Sequence, residues 1–381
     1  MSKPLKVIDL FSGCGGSALG FKQAGFDIKV AVDIDKLASE SFKLNFPNAE
    51  VFTSDISTLS SKDLLKAAEA SSGDEIVIIA CPPCQGFSTA RRKSEAADDL
   101  RNYLIYEFFR VVKEVRPLAF VMENVPGLER GLGKPFFDDI REKIQNLGYE
   151  TVCEVVDTAD FGVPQRRKRL VLIGTNNPKV KLTFPIRTNH NPETSDGHLA
   201  SWNTVRETIA DLPKLKAGEI SSDDPMHKAS NLADINLQRM SVTPHDGGGR
   251  MSWPEELVLE CHKKVSGYKD IYGRMKWDAP SPTITGGCVM LSKGRFGHPE
   301  QDRAISLREA ARLQTFPDDY KFAGNTGEIA RQLGNAVPPL LAKRIADYLL
   351  PLIKESKRAE NRISQNDGVD SITEGAFFQE A

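Results

Sequence analysis

Several features that would assign a sequence of 381 residues to a class are scarce here. No apolar run approaches the roughly 18 residues that a membrane-spanning helix needs, so we expect no membrane partner. The chain enters a predicted strand at Leu5 without a signal-peptide pattern before it. Its 6 cysteines are too few and too scattered for a disulfide framework. These absences predict a cytoplasmic protein in a reducing compartment.

An excess of charge of one sign is also lacking. The 50 basic and 52 acidic side chains leave a net charge of −2. This balance neither supports nor excludes a nucleic-acid partner, because a single groove can be basic on a balanced chain. One C-x-x-C pair, and 6 histidines without paired helical spacing, predict no metal site. The pattern G-x-G-x-x-G is missing, which disfavours a dinucleotide-dependent dehydrogenase.

What the sequence does contain is an alternation of short apolar strands and amphipathic helices. Such alternation is typical of parallel βαβ units in an α/β fold. The connection before the last strand lacks a helical pattern, which suggests that this strand runs antiparallel. Seven strands are predicted, at Leu5–Phe11, Ile28–Asp33, Ala49–Phe52, Glu75–Ala80, Leu118–Met122, Thr151–Val156 and Arg169–Ile173.

The composition changes along the chain and predicts two domains. Residues 1–178 form the first domain. Residues 179–303 are rich in Pro, Gly, Asn and Ser and are predicted to form a smaller, irregular domain. Helical periodicity returns over residues 304–353, which we expect to complete the first domain. The polar residues 354–381 are predicted to be a disordered tail.

Cys84 follows the fourth predicted strand, in the segment Cys81-Pro82-Pro83-Cys84-Gln85-Gly86-Phe87-Ser88. Open α/β sheets bind ligands at the carboxyl ends of such strands, so a thiol at this place suits a nucleophile. Two other interpretations stay open on this segment alone. Cys81 and Cys84 have the spacing of a redox pair, and a buried structural thiol is common in intracellular proteins.

Acidic residues and a glycine-rich loop follow the first three strands. The loop Phe11–Gly16 lets the backbone approach a nucleotide-like ligand, and Asp33 is placed to accept hydrogen bonds from a ribose diol. Asp55 follows the third strand. One adenosine-type ligand lying across these strand ends explains them together better than separate helix caps do.

Two further motifs extend this edge of the sheet. Glu123 ends the fifth strand, close to where we expect Cys84, and a carboxyl group there suits the ring nitrogen and amino group of a substrate. Gln165, Arg167 and Arg169 alternate along an extended segment and are predicted to form a cationic face for a phosphate or an electron-rich base.

Taken in order, these motifs resemble the cytosine-C5 DNA methyltransferases that use S-adenosylmethionine. The resemblance covers about residues 5–175 and 300–350. The matching segments are Phe11–Gly16, Pro83-Cys84-Gln85, Glu123-Asn124-Val125, Gln165-x-Arg167-x-Arg169, Arg308-Glu309-x-Ala311-Arg312-x-Gln314-x-Phe316-Pro317, and Gly334-Asn335-Ala336-Val337-Pro338-Pro339.

The resemblance implies a Rossmann-like methyltransferase fold with a mostly parallel seven-stranded sheet. It also implies a target-recognition role for residues 179–303 and methyl transfer to a cytosine that is flipped out of duplex DNA. Its implied catalytic residues are Cys84 as the thiolate, Glu123 on the N3/N4 edge of the base, and Arg167 and Arg169 on its O2 side or the adjoining phosphate. Its implied contacts with S-adenosylmethionine are Phe11, Gly13, Cys14, Asp33, Ile34, Asp55, Ile56, Pro83, Leu104 and Asn335.

DNA contacts are predicted on three parts of the chain. For the glycine-containing turns of the middle segment, an ordinary surface turn is an equally good interpretation. The predicted DNA-binding residues are Gln85, Ser88, Gln165, Arg274, Thr283 and Thr285. We further expect a bacterial monomer, associated with the nucleoid when DNA is bound. By association, it is the modification half of a restriction–modification pair, with an endonuclease of the same target as partner.

Two alternative functions are compatible with the same motifs. An RNA cytosine methyltransferase would use the same chemistry, although the segment after Pro83-Cys84-Gln85 differs from the signature of the related tRNA-methylating branch. A catalytically idle nucleic-acid-binding homologue is disfavoured, because Cys84, Glu123 and Arg167 are all present.

Overall fold

Seven strands and the helices between them form one α/β layer structure in the computed structural model, which describes residues 4–72, 75–83, 103–194, 198–263 and 269–354. The strands of the main sheet are β1 (Lys6–Leu10), β2 (Asp27–Asp33), β3 (Glu50–Thr53), β4 (Ile76–Ala80), β5 (Ala119–Asn124), β6 (Glu150–Asp157) and β7 (Lys168–Thr175). The helices among them are α1 (Gly16–Gln23), α2 (Lys36–Asn45), α3 (Ser61–Ala67), α4 (Leu104–Val115) and α5 (Lys134–Asn146).

The sheet has the order β3-β2-β1-β4-β5-β7-β6. Neighbours from β3 to β5 pair in parallel, whereas β7 is antiparallel to both β5 and β6. The predicted mostly parallel seven-stranded sheet and its antiparallel last strand are therefore confirmed. The reversal follows from the short connection between β6 and β7, which holds no α-helix and is closed by a 2.9 Å bond from the Thr158 N–H to the Arg167 carbonyl.

Both faces of the sheet are covered by helices because its strands alternate their apolar side chains. Val7 points into one core with residues of α1 and α2, while Ile8 points into the other with residues of α3, α4 and α5. The first core also receives α9 (Leu307–Leu313), α10 (Thr326–Asn335) and the helical residues 339–354. Residues from the end of the described chain thus pack on the sheet made by its beginning.

The described part of residues 179–303 contains little regular structure. Their elements are β8 (Asn189–His190), β9 (Ala200–Ser201), α6 (Val205–Ile209), α7 (Asp234–Ser241) and α8 (Glu260–Lys263). A separate small core joins Met240, Trp253, Tyr272 and Leu291 to Ala304. The proposed division into domains stays a prediction, and the tail from residue 355 onward lies outside the described residues. Among the described ranges, no helix has the length and apolar character needed to cross a membrane.

Glu309 joins the middle segment to α9. It completes a capping box with Ser306, and its carboxylate accepts hydrogen bonds of 2.8 and 2.7 Å from the Arg303 guanidinium. Both side chains are almost fully buried. The bonds with Arg303 hold the pKa of Glu309 down to about 2, against the opposing effect of burial.

We predict that Glu309→Gln lowers the free energy of unfolding by about 3 kcal/mol, because it leaves a buried guanidinium without its counter-charge. Glu328→Gln is the matched control, since Glu328 holds the equivalent position in the capping box of α10 but is partly exposed. It should cost about 1 kcal/mol or less. Urea unfolding measures both, and equal losses would contradict the prediction.

The same pair predicts a pH dependence. Because the pKa of Glu309 is lower in the folded state than its ordinary value of 4.5, its contribution to stability is complete above about pH 4.5. It is lost as the pH falls from there towards 2. Glu309→Gln should flatten this part of the stability profile relative to Glu328→Gln.

Candidate active site

A cavity of about 520 Å³ opens where β1, β2, β4 and β5 end. It is the place that an open α/β sheet offers to a ligand. All ten residues predicted to contact the cofactor line this cavity: Phe11, Gly13, Cys14, Asp33, Ile34, Asp55, Ile56, Pro83, Leu104 and Asn335. Three predicted catalytic residues, Glu123, Arg167 and Arg169, line it as well.

The loop after β1 bends tightly around one end of the cavity. Phe11, Gly13 and Gly15 all have positive φ angles, of 57°, 53° and 92°. A Cβ atom on Gly13 would meet nothing within 4 Å, so the loop leaves open space for a ligand. The Gly13 N–H donates a 2.7 Å bond to Asp33 Oδ2, which fixes the carboxylate beside that space.

Asp33 and its neighbours form the rim at this end. Burial raises the pKa of Asp33, while backbone N–H donors, including those of Asp35 and Gly13, oppose the rise. Ile34 is 71% exposed, which leaves an uncovered apolar surface at the mouth of the cavity. Asp35 caps α2 and accepts a 2.8 Å bond from Arg331 of α10.

The other end of the cavity holds a carboxylate and a guanidinium in contact. Arg169 Nε lies 2.6 Å from Glu123 Oε1, and both side chains are 14% exposed. Asn124 Nδ2 donates a 3.0 Å bond to the Pro82 carbonyl, so the segment after β4 is tied to the end of β5. Pro83, the residue before Cys84 in the sequence, therefore shares the cavity with Glu123 and Arg169.

Three predicted site residues, Cys84, Gln85 and Ser88, lie outside the described residues. The other member of the C-x-x-C pair is described. Cys81 Sγ lies 3.5 Å from Ser17 Oγ, and burial, with smaller effects of Glu123 and Asp9, raises the pKa of Cys81 well above its ordinary value. A thiol held in its protonated form is a poor attacking group, which argues against a redox role for Cys81.

Of the predicted cationic face, Arg167 and Arg169 line the cavity, whereas Gln165 does not. The burial of Gln165 contradicts its prediction as a DNA contact. Gln165 is fully buried and Arg167 is only 2% exposed. The two terminal nitrogens of Arg167 donate to the carbonyls of Ile284 and Gly334, each at 2.9 Å. Its Nε has no hydrogen-bond partner among the described residues. Only Arg169 of this motif holds its guanidinium against a carboxylate of the cavity.

Arg274 is also not a DNA-facing side chain. It is fully buried, and the irregular backbone around it offers several carbonyl groups that a guanidinium can satisfy. Its guanidinium donates to the carbonyls of Met240, Thr243, His298 and Gln301 and to the carboxylate of Asp302. Of the loop predicted beside it, Thr285 is exposed, and the partly exposed Thr283 donates its hydroxyl to the Arg166 carbonyl at 2.7 Å.

Sequence reasoning missed other residues that line the cavity. Ser17, Cys81 and Asn124 lie close in sequence to the predicted residues Cys14, Pro83 and Glu123, so the motifs around them were the available signal. Arg331 reaches Asp35 across 296 positions of sequence, and no local pattern announces such a contact. In the described ranges, no group of three or more His, Cys, Asp or Glu side chains is arranged to hold a metal ion.

Comparison with known proteins agrees with this geometry. Residues 5–350 match the family model of the C-5 cytosine-specific DNA methylases. The chain belongs to this family. It is 40% identical over 347 residues to the type II methylase M.HgiDII of Herpetosiphon aurantiacus, covering 89% of this chain and 93% of that protein. It is 41% identical over 349 residues to the type II methyltransferase M1.HphI of Haemophilus parahaemolyticus, covering 91% and 87%.

A solved structure is similar throughout. It is described as a DNA modification methyltransferase encoded within an Escherichia coli prophage, with a TM-score of 0.70 and 26% identity over 92% of this chain and 99% of that one. The family establishes the enzyme as a DNA cytosine-C5 methyltransferase with S-adenosylmethionine as methyl donor. The open space at Gly13, the carboxylate of Asp33 and the uncovered Ile34 fit an adenosine group of this kind.

We predict that Asp33→Ala weakens binding of S-adenosylmethionine by about 10- to 100-fold, because a hydrogen bond to a charged group contributes about 1.5–3 kcal/mol. Asp27→Ala is the matched control, since Asp27 begins the same strand at its opposite end. Isothermal titration calorimetry measures both affinities. A comparable loss in the control, or none in Asp33→Ala, would contradict a ribose contact.

Proposed function

We propose that this methyltransferase acts on one specific duplex DNA sequence, through a covalent bond between Cys84 and C6 of a flipped-out cytosine. The observation that carries the proposal is the shared cavity. The adenosine-type end around Gly13 and Asp33 and the Glu123–Arg169 pair line one space together with Pro83. Donor and acceptor of the methyl group can therefore meet beside the residue that precedes Cys84.

The chemistry explains why a thiol and a carboxyl group are needed together. Cytosine C5 is too weak a nucleophile to take a methyl group directly. Addition of the Cys84 thiolate to C6 makes C5 enamine-like, and the bound S-adenosylmethionine supplies an electrophilic methyl group. Loss of the C5 proton and release of the thiolate then restore the aromatic ring.

Glu123 would hold the N3 and N4 edge of the base while negative charge develops at N3. Arg169 is already fixed against Glu123, which pre-organises this carboxylate before the base arrives. We propose that the same guanidinium donates to the O2 side of the ring. Burial of both groups strengthens these interactions relative to water.

Recognition of the target is proposed for residues 179–303, with the exposed Thr285 and the neighbouring Thr283 as contacts beside the cavity. Gln85 and Ser88 are proposed contacts on the segment that follows β4. The names of the relatives support a restriction–modification role, with an endonuclease of the same specificity as partner. Their bacterial origin supports a cytoplasmic, nucleoid-associated protein, and we propose that it acts as a monomer.

We predict that DNA containing 5-fluorocytosine traps the wild-type protein covalently in the presence of S-adenosylmethionine, because fluorine blocks the final loss of the C5 substituent. Cys84→Ser should form no adduct on a denaturing gel. Cys153→Ser, a change on β6 away from the cavity, is the control that should trap normally. An adduct in Cys84→Ser would exclude that residue as nucleophile, and a requirement for Cys81 alone would favour the redox pair.

A second prediction concerns the substrate. Tritiated-methyl transfer should be much faster to duplex DNA than to structured RNA, and bisulfite sequencing of DNA from expressing cells should show methylation at one short sequence. Glu123→Gln should lower kcat on that sequence by about 100- to 10,000-fold, as expected for loss of a positioned acid–base group. Preferred methylation of RNA would support the RNA methyltransferase instead.

A further inference from the structure

The segment Ser281–Ile284 runs beside Pro164–Arg167 at the start of β7. The Ser281 N–H donates to the Pro164 carbonyl at 2.9 Å, and the Arg166 N–H donates to the Ser281 carbonyl at 2.8 Å. Gln165 and Ser281 form an isolated parallel β-bridge. The middle segment is therefore attached to the catalytic sheet by backbone pairing just before the loop Pro282–Gly287, here called the recognition loop.

The peptide groups of Ile284, inside the recognition loop, are held from both sides. Its N–H donates to Gln165 Oε1 at 2.9 Å, and its carbonyl accepts from Arg167 Nη1 at 2.9 Å. The Ile284 side chain is itself fully buried. Two side chains of the catalytic sheet thus fix the middle of the loop through its main chain.

The same two side chains reach the end of α10. Arg167 Nη2 donates to the Gly334 carbonyl at 2.9 Å, and Gly334 directly precedes Asn335 in the wall of the cavity. A Cβ atom on Gly334 would lie 2.1 Å from the Gly286 nitrogen, so loop and helix end are in direct contact. Gln165 Nε2 donates at 2.8 Å to Gln314, whose own amide donates to the Leu333 carbonyl.

The buried charge of Arg167 depends on the loop for one of its hydrogen-bond partners. Burial, together with the nearby cation of Arg169, lowers the pKa of Arg167 to about 9, while Glu123 opposes the effect. A buried guanidinium is costly unless its donors are satisfied, and one of the two partners of Arg167 belongs to the loop. Displacement of the loop would leave that charge underpaired beside Glu123 and Arg169.

We propose that Gln165 and Arg167 are positioning residues that form a clamp between the recognition loop and the cavity, so that a loop wrongly seated on DNA disturbs the site of methyl transfer. The proposal rests on the proposed DNA contact of this loop. It assigns sequence discrimination in part to the catalytic step, since the coupling runs from Ile284 through Arg167 to Gly334. It also gives Arg167 a different role from Arg169, because Arg169 contacts Glu123 and not the loop.

The test compares Arg167→Lys with Gln165→Met. Lysine keeps the charge but loses the planar fork that spans two carbonyls, and methionine removes all three side-chain hydrogen bonds of Gln165. The readout is the ratio of kcat/KM for a duplex with the site found by bisulfite sequencing to that for a duplex with one flanking base pair changed. Both variants should lower this ratio about tenfold or more.

Gln165 decides between the clamp and a direct base contact, because it does not line the cavity. Discrimination as in the wild type in a folded Gln165→Met variant, with a lower kcat in Arg167→Lys alone, would overturn the proposal. So would equal losses on both duplexes in both variants, which a merely structural role predicts. Gln165→Glu keeps the acceptor for the Ile284 N–H and should have the milder effect, and thermal unfolding confirms that each variant is folded.

Two controls separate the clamp from the proposed function. Arg169→Lys should lower kcat on both duplexes with little change in their ratio. Thr285→Val tests the DNA contact itself. An unchanged ratio in Thr285→Val, beside reduced ratios in both clamp variants, would remove Thr285 as a DNA contact and support a clamp that acts through the rest of the loop.

Discussion

The antiparallel course of β7 is the constraint on which the site depends. In a fully parallel sheet, the start of this strand would lie at the amino edge, far from the cavity. Because the chain turns back directly after β6, Lys168 and Arg169 begin β7 beside the carboxyl end of β5. The register that pairs Glu123 with Val171 then brings Arg169 within reach of the Glu123 carboxylate. The short connection between β6 and β7 thus places the Arg169 cation at the edge of the sheet where the cavity lies.

Strand ends were predictable from the sequence because their positions follow from topology alone. Parallel strands must place Gly13, Asp33 and Glu123 at one edge, whatever the helices between them do. The sequence pattern also indicated the reversal of β7 through a missing helical period. The functions of Gln165 and Arg274 were not predictable in this way. Each is a long polar side chain. Whether it is buried or exposed depends on carbonyl groups from distant segments, and no local sequence pattern indicates their position.

In the less regular part of the molecule, buried guanidinium groups donate hydrogen bonds to backbone carbonyls from several segments. Backbone carbonyls outside helices and strands need donors, and a planar guanidinium can satisfy several of them at once. Arg274 does this among residues 240–302, and Arg303 does it beside Glu309. Arginine in a DNA-modifying protein is therefore not by itself a sign of DNA contact. Its exposure has to be known first.

The attachment of the loop Pro282–Gly287 has a consequence for which of its side chains can vary. Gln165 and Arg167 touch Ile284 only through its peptide N–H and carbonyl, and Gly334 meets the backbone of Thr285 and Gly286. The exposed side chain of Thr285 can therefore be exchanged without altering these main-chain contacts, whereas Thr283 also donates its hydroxyl to the Arg166 carbonyl at 2.7 Å. Because the anchorage consists of main-chain atoms, position 285 is free to vary while the cavity wall at Gly334 keeps its contacts.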